Sequence, residues 1–597
     1  MRLPVVPRIS KLFVLSSYLL VSATPFVPLL LGRDVTGWTQ LLGMQVIAWM
    51  MLWAVFKRPA CFHPLLLPAF IAIPLDLYLQ AYYGQTLSAH HFAIIAETNP
   101  GEAMEFLGHR AWLAGLLVLI ALAWWGGCWL LCLRSADLDW TDRSRQVLLT
   151  VFGLAGVLVL YGSLTGSSGQ DARRVVRFDS SLVSSWELPA LPSWATFSIN
   201  AERFGRTRPL GLGVAAYEFW KERKHLAALS DSSRTFRFGA VQDEDSDTSR
   251  TVVMVIGESS RYDRWSLNGY ERETNPLLKT EPNLVSLSDV VTAVSATRLS
   301  VPVLVSRKPA RSSLKAGFSE KSFLSAFREA GYKTWWVSNQ MSFGEFDTPV
   351  SVFAKEAHVV QFLNFGSYKK RSSYDEVLLN PLHAALRDPA PKKLIVLHTL
   401  GNHWNYSHRH PQAFDKWQPS LFDVENPVHT DPAMKTRLNN SYDNSILYTD
   451  WFLANVIGEL KDTRQVAGMM YIADHGQTLY DGSCKLAFHG HNTQHEFHVP
   501  ALVWYSDAYR RKHPEKVAGL LRNRHAKLAT ENVFHSLLDM ADIRYPTERL
   551  EWSFFSPQLQ RHKRYVDSYG WTDYDNATFK GDCREVIGRD KPLTQEK

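Results

Sequence analysis

"TVVMVIGESSRYDRWSLNGYERETNP", residues 251–276, decides the fold. Residues 252–256 are all apolar and run straight into Gly257, Glu258, Ser259 and Ser260. Such a short unbroken run, closed by a glycine, reads as a strand buried on both faces, as in a parallel sheet covered by helices. A carboxylate at the end of that strand stands where ligand groups gather in open α/β sheets. Outward from this stretch the pattern repeats. "KTWWVSN" (333–339), "KLIVLHTLGNH" (393–403), "GMMYIADHG" (468–476) and "VPALVWYSD" (499–507) are further strands. "SFLSAFREAG", "SILYTDWFLANVIGELK" and "ENVFHSLLDMA" carry helical periodicity. Strands alternating with helices predict an α/β domain with a mostly parallel sheet and helices on both faces.

The chain has 597 residues, too many for one core. Its formal net charge of +7 is not clustered as in a nucleic-acid binder, and no zinc-finger, RRM or P-loop pattern occurs, so no nucleic-acid partner is expected. The 46% hydrophobic content and 20 tryptophans are unevenly spread. Five apolar stretches, near 11–31, 37–56, 62–82, 111–133 and 146–163, are each long enough to cross a bilayer. The first, with Arg2, Arg8 and Lys11 before it, also resembles a signal peptide, but a second apolar stretch follows almost at once. Lys57 and Arg58 follow the second stretch, and Arg134, Arg143 and Arg145 follow the fourth. With five spans these basic groups share the N-terminal, cytoplasmic side, and everything after about 165 lies outside, in a bacterium the periplasm.

Three parts result: a five-helix transmembrane domain (1–165), a bridging segment (166–250) and a catalytic domain (251–597). The bridge combines "SSWELPALPSWATF", an amphipathic helix "AAYEFWKERKHLAAL" and the polar linker "SDSSRTFRFGAVQDEDSDTSR". The loop "GQTLSAHHFAIIAETNPGEAMEFLGHR" (84–110) is long for a bare turn and is expected to rest on the membrane surface or on the catalytic part. Cys61, Cys128 and Cys132 lie in or beside spans. Cys484 and Cys583 allow one exported disulfide at most, and no cysteine zinc site is present.

The strand ending in Asp474-His475-Gly476 places a carboxylate beside an imidazole, a donor set that suits a divalent cation; alone it is equally a strand-end turn. Glu258, alone equally a helix cap or ion-pair partner, adds a third donor from a neighbouring strand end. A hydroxyl nucleophile beside such an ion gains reactivity. "DVVTAVSATRLSVPVLVSRK" (289–308) offers Ser295, Thr297 and Ser300 at a strand-to-helix junction. A helix starting there would aim amides at an anion such as phosphate, although plain capping by a hydroxyl is the simpler role. Histidines cluster in "HTLGNHWNYSHRHP" (398–411) and "AFHGHNTQHEFH" (487–498). His403 and His489 stand out because each has a glycine next to it or two residues away.

These motifs resemble the bacterial inner-membrane phosphoethanolamine transferases of the alkaline phosphatase and sulfatase superfamily. "GESSRYDRWSLNGYERETNP" is similar to the family's Gly-Glu-[Ser/Thr]-x-Arg…Gly-Tyr-x-Arg-x-Thr-x-Pro run. "SYDNSILYTDWFL" is similar to its Tyr-Asp-Asn-[Ser/Thr]-Ile-Leu-Tyr-x-Asp helix, and "YIADHG" and "FHGHN" to its metal and substrate segments. The resemblance implies zinc held by Glu258, Asp474 and His475, one ion expected and a second left open. It implies a nucleophile five residues before Ser-Val-Pro, which counts back from Ser300 to Ser295, also the fourth metal ligand, with Thr297 as fallback. It further implies substrate contacts from Asn339, Gln340, His403 and His489. Ala293 and Val303 stand where many members carry a flanking disulfide, and Gln477 stands where a glutamate often follows Asp-His-Gly. "SNQMSFGEFDTP" and "SYDEVLLNPL" look closer to members acting on lipopolysaccharide core sugar than on lipid A.

The implied reaction has two steps. Phosphoethanolamine moves from phosphatidylethanolamine to an enzyme hydroxyl, releasing diacylglycerol, and then to a lipopolysaccharide or related envelope glycan. A phosphoglycerol transferase has similar architecture. A sulfatase would need an arginine where Leu304 stands. A non-catalytic glycolipid-binding membrane protein would have lost a ligand or the hydroxyl, and none is lost.

Overall fold

A computed structural model describes residues 8–589 except 31–34, 36, 84–85, 98–102, 104–106, 108–110, 135, 166–203, 233–234, 243–248, 313–319, 342–348, 365–373 and 426. By contacts the chain forms two units. One is drawn from the first 221 residues apart from Glu97–Arg110; the other is that segment together with Glu222–Leu593. The division falls inside the helix Gly211–Ser232, which is the amphipathic helix expected in the bridge. The segment "SSWELPALPSWATF" lies outside the described residues.

In the first unit, four helices among the described residues are long and apolar enough to cross a membrane: Ser10–Leu30, Trp38–Phe56, Pro59–Ala81 and Ala111–Arg134. The fifth expected stretch is also helical, Arg143–Thr165. Within this unit Asp76 and Arg208 are both about 1% exposed and paired. Arg208 Nε lies 2.7 Å and Nη2 2.5 Å from Asp76 Oδ2, and the Leu87 amide donates to Asp76 Oδ1 at 2.8 Å. Two charges removed from water require such full pairing.

In the second unit the strand expected at 252–256 is β1, Arg250–Gly257, buried along its whole length. It sits within an eight-stranded sheet with β2 (Leu284–Val291), β3 (Lys333–Met341), β4 (Val359–Asn364), β5 (Lys392–His398), β6 (Val466–Ala473), β7 (His498–Tyr505) and β8 (Leu528–Ala529). The order is β8-β2-β7-β6-β1-β5-β3-β4. Only β7 runs against its neighbours. Alternation along β1 explains the unbroken apolar run. Val252, Met254 and Ile256 join one core, and Val253 and Val255 join another on the opposite face. Helices α1 (Thr297–Val305), α2 (Phe323–Glu329) and α4 (Asn532–Met540) cover the first face, and α3 (Lys435–Asp462) covers the second.

Cys484 and Cys583 form a disulfide. Ala293 and Val303 are both buried apolar positions.

Candidate active site

The parallel register of β1 and β6 builds the site. Gly257 is paired with Ala473, so the next residue on each strand, Glu258 and Asp474, emerges side by side. The Asp474 amide still donates to Gly257 O at 3.0 Å. On the other flank Ile256 pairs with His398 of β5, and the chain turns over Glu258 through Gly401. Gly401 has φ +48°, and a Cβ there would come within 2.7 Å of the Glu258 carbonyl oxygen, so this turn requires glycine.

Glu258, Asp474 and His475 are all buried, and one donor atom from each lies within 4.8 Å of the other two. His475 Nε2 is 3.3 Å from Glu258 Oε1 and 3.7 Å from Asp474 Oδ2. Asp474 Oδ1 accepts from the Ser259 and His475 amides at 3.0 and 2.7 Å, whereas Oδ2 is buried with no hydrogen-bond partner among the described residues. His475 Nδ1 donates to Gly476 O at 2.9 Å, and this tautomer turns the Nε2 lone pair toward two carboxylates. Electron pairs converging on a buried point need a cation between them, either a proton or a metal ion. The donor set, two carboxylates and one imidazole, fits a zinc-type ion with a position left open.

Without a metal, protons fill that role. Burial and the Glu258 charge push Asp474 up to about 7. Burial opposes the His475 charge, but Asp474 and Glu258 outweigh it and raise the imidazole to about 10. Burial also opposes the Glu258 charge, yet the His475 contact holds that carboxyl well below the usual range.

The hydroxyl at the cluster belongs to Thr297, not Ser295. Thr297 Oγ1 donates to Glu258 Oε2 at 3.0 Å and lies 3.4 Å from His475 Nε2. Thr297 is half-buried and is the first residue of α1, whose N-cap is Ala296 in an extended conformation. No side chain caps this helix, so the simpler role for its hydroxyls is not the one seen. Its first amides lie outside the helical ladder at the end where negative charge is favoured. Ser295, expected as nucleophile and ligand, is buried beside Glu496 and makes no hydrogen bond to the cluster. The extended turn at Ala296 separates the two hydroxyls, and only Thr297 meets the cluster. Ser300 is buried within α1.

Of the residues expected to touch substrate, Gln340 lies nearest the cluster. Its Nε2 is 3.3 Å from Glu258 Oε2 and donates to Thr399 O at 2.8 Å. Asn339, one residue earlier on β3, is buried and donates to Asp375 Oδ1 at 2.9 Å. Asp375 in turn accepts from the Leu400 and Gly401 amides at 2.8 and 2.9 Å, so Asn339 braces the turn above Glu258. The His489 ring lies 4.4 Å from that of His475, and burial with the His475 and His403 charges holds its imidazole well below the usual value. His403 Nδ1 meets Trp404 O at 2.7 Å. Glu496, which sequence reasoning did not single out, ties the site together. It accepts from Thr478 Oγ1 at 2.7 Å, from the Gly490 amide at 2.9 Å and from the His491 amide at 3.0 Å. Its only sequence signal was a charged residue inside the histidine-rich "FHGHNTQHEFH".

Comparison with known proteins agrees with this geometry. Residues 250–543 match the Sulfatase family. Over 517 residues the chain is 28% identical to phosphoethanolamine transferase EptC of Escherichia coli O18:K1:H7, covering 83% of each protein. Over 315 residues it is 30% identical to the Kdo(2)-lipid A phosphoethanolamine 7''-transferase of E. coli K12, about half of each chain (50% and 51%). The zinc complex of the E. coli EptC C-terminal periplasmic domain superposes with a TM-score of 0.51 at 29% identity, covering 56% of this chain and 95% of that one. The integral membrane protein EptA from Neisseria meningitidis shares the fold, with a TM-score of 0.64 at 20% identity over 92% of this chain and 97% of its own. The second unit therefore carries a sulfatase-type domain with its donor cluster at the strand ends. The chain thus carries a sulfatase-family domain and is similar, over most of its length, to proteins named phosphoethanolamine transferases.

Proposed function

We propose that this enzyme moves phosphoethanolamine from phosphatidylethanolamine to a lipopolysaccharide-type acceptor through a covalent intermediate on Thr297. The observation that carries the reading is the contact of Thr297 Oγ1 with Glu258 and His475 at the start of an uncapped helix. Glu258, Asp474 and His475 would hold one zinc ion, in keeping with the zinc complex of the EptC domain. Zinc, when bound, neutralises the carboxylates and lowers the pKa of an adjacent hydroxyl.

The Thr297 oxygen attacks phosphorus, the Oγ–P bond forms, and the P–O bond to diacylglycerol breaks. Glu258 Oε2 holds the hydroxyl proton before attack, and that proton leaves with the diacylglycerol oxygen. The α1 amides and a neutral His489 face the charge on the phosphoryl oxygens. An acceptor hydroxyl or phosphate oxygen then attacks the same phosphorus, and its proton returns to Thr297 as that oxygen departs. Gln340 steadies Glu258, and His403 lines the same cluster.

A lipid donor accounts for the apolar helices. In this reading Arg143–Thr165 is a fifth span, the protein lies in the bacterial inner membrane, and the 251–597 domain works in the periplasm beyond a 166–250 bridge. The test is release of diacylglycerol from fluorescent phosphatidylethanolamine by purified protein, with and without chelator, followed by peptide mass mapping. Zinc-dependent release with an adduct on Thr297 supports the reading. Release from phosphatidylglycerol instead, or an adduct on Ser295, overturns the donor or the nucleophile respectively.

A further inference from the structure

The loop leading from the Asp474-His475 end of β6 back to β7 carries His489, and the C-terminal end of the described chain grips it on both sides. On one side Cys484 is joined to Cys583, and the Ser483 amide donates to Asp582 Oδ2 at 2.7 Å. On the other, the Gln494 amide donates to Arg584 O at 2.8 Å and the Val586 amide donates to Asn492 O at 2.9 Å. An antiparallel bridge pairs Thr493 with Glu585 between these bonds. Residues 583–586 thus span the gap between 484 and 494, with His489 midway along the spanned loop.

This strut is itself anchored. Its strand, Glu585–Gly588, pairs with Ala577–Lys580. Val586 is fully buried in a small core with Val291 of β2, Phe497, Val566 and Tyr574. Phe497 follows Glu496 directly, and Glu496 holds the Gly490 and His491 amides from the inside. The His489 loop is therefore fixed from outside by the strut and from inside by a buried carboxylate. A loop of this length that carries a site residue needs such fixing, because a displacement of about 1 Å costs a site on the order of 10²-fold in rate.

We infer that the C-terminal strut, Cys583 to Val586, is a positioning element that sets His489 against the donor cluster. The inference rests on the proposed contact of His489 with the transferring group. The test uses the full chain in lipid-containing micelles and compares Cys484→Ser/Cys583→Ser, His489→Asn and the triple variant. Zinc content, kcat, donor KM and amide exchange at Gly490 and His491 are measured for each.

The paired serine variant should keep its zinc, exchange those two amides at least about tenfold faster and lose about tenfold in kcat. Added to His489→Asn, it should cost less than about twofold more, because the strut acts through that histidine. Independent, multiplying losses would overturn the inference, as would unchanged amide protection. If the serine variant does not fold, the folded wild type is reduced with a phosphine and the same amides are followed; unchanged protection again overturns it. Absence of diacylglycerol release by the wild type would sink the transferase reading, while the exchange data would still decide whether the strut holds the loop.

Discussion

Thr297 Oγ1 lies 3.0 Å from Glu258 Oε2, whereas Ser295, two residues earlier, is buried beside Glu496. One hydroxyl faces the donor cluster and the other does not. Thr297→Ala should lower transfer by about 10³-fold or more while zinc stays bound, as expected for loss of a nucleophile. Ser295→Ala should keep most of the activity and cost less than about 1 kcal/mol of stability, because Glu496 keeps its hydrogen bonds from Thr478, Gly490 and His491. Steady-state rates and thermal unfolding of the two variants distinguish these roles, and reversal of the two phenotypes would exchange them.

Removing a donor from the cluster should remove the metal. His475→Ala and Asp474→Asn are each expected to bind zinc at least about tenfold more weakly and to show no diacylglycerol release. Chelation of the wild type should lower its Tm, since an ion bound to the folded state alone stabilises it by mass action. Metal analysis after dialysis, with thermal scans, checks both.

Zinc uptake should release protons in a pH-dependent number. Both Asp474, at about 7, and His475, at about 10, lie above their unfolded values. The metal-free fold therefore holds protons that the unfolded chain releases. The stability from Asp474 is full below about pH 4 and lost as pH rises through 7; that from His475 is full below about pH 6.5 and lost through 10. At pH 6 both groups are protonated, and zinc should displace about two protons; at pH 8.5 it should displace about one. Calorimetry in buffers of different ionisation enthalpy counts them, and a pH-independent count would contradict the assignment.

Gln477 is buried, and neither its Oε1 nor its Nε2 has a hydrogen-bond partner among the described residues. An apolar replacement of similar shape removes that unsatisfied amide, so Gln477→Leu should change stability by less than about 1 kcal/mol or raise it. Gln477→Glu should destabilise the metal-free protein by about 3–5 kcal/mol through an unpaired buried charge. Denaturant titration of both variants after chelation reads the difference.

In the helical unit, Asp76 and Arg208 neutralise each other out of contact with water. Asp76→Ala leaves the guanidinium without its partner and should cost about 3–5 kcal/mol, whereas the double change Asp76→Leu/Arg208→Met should recover most of that loss. Thermal stability in detergent is the readout, and equal losses in the single and double variants would contradict the pairing.

How much of this was legible before the fold was known differs from residue to residue. The run 252–256 announced a strand with two buried faces because alternate side chains enter two separate cores, and no polar position interrupts them. Glu258 and Asp474-His475 were legible as strand ends, and parallel pairing of β1 with β6 brought them together. Asn339 and Gln340 were indistinguishable by type. The backbone at the end of β3 sends one to Asp375 and the other to Glu258. All five apolar stretches are helical, and four of them, among the described residues, are long and apolar enough to cross a membrane.

By itself the sequence determined the buried strands, the apolar helices and the donor types, because burial patterns and side-chain chemistry are local properties of the chain. Tertiary structure alone decided which hydroxyl meets the cluster, that Cys484 pairs with Cys583, and that Glu496 joins Thr478 to the His489 segment. Those outcomes depend on backbone direction at single turns and on the approach of segments far apart in the chain. Ala296, extended between two hydroxyls, is enough to turn Ser295 away from Glu258 and Thr297 toward it, and no spacing rule along the sequence contains that dihedral angle.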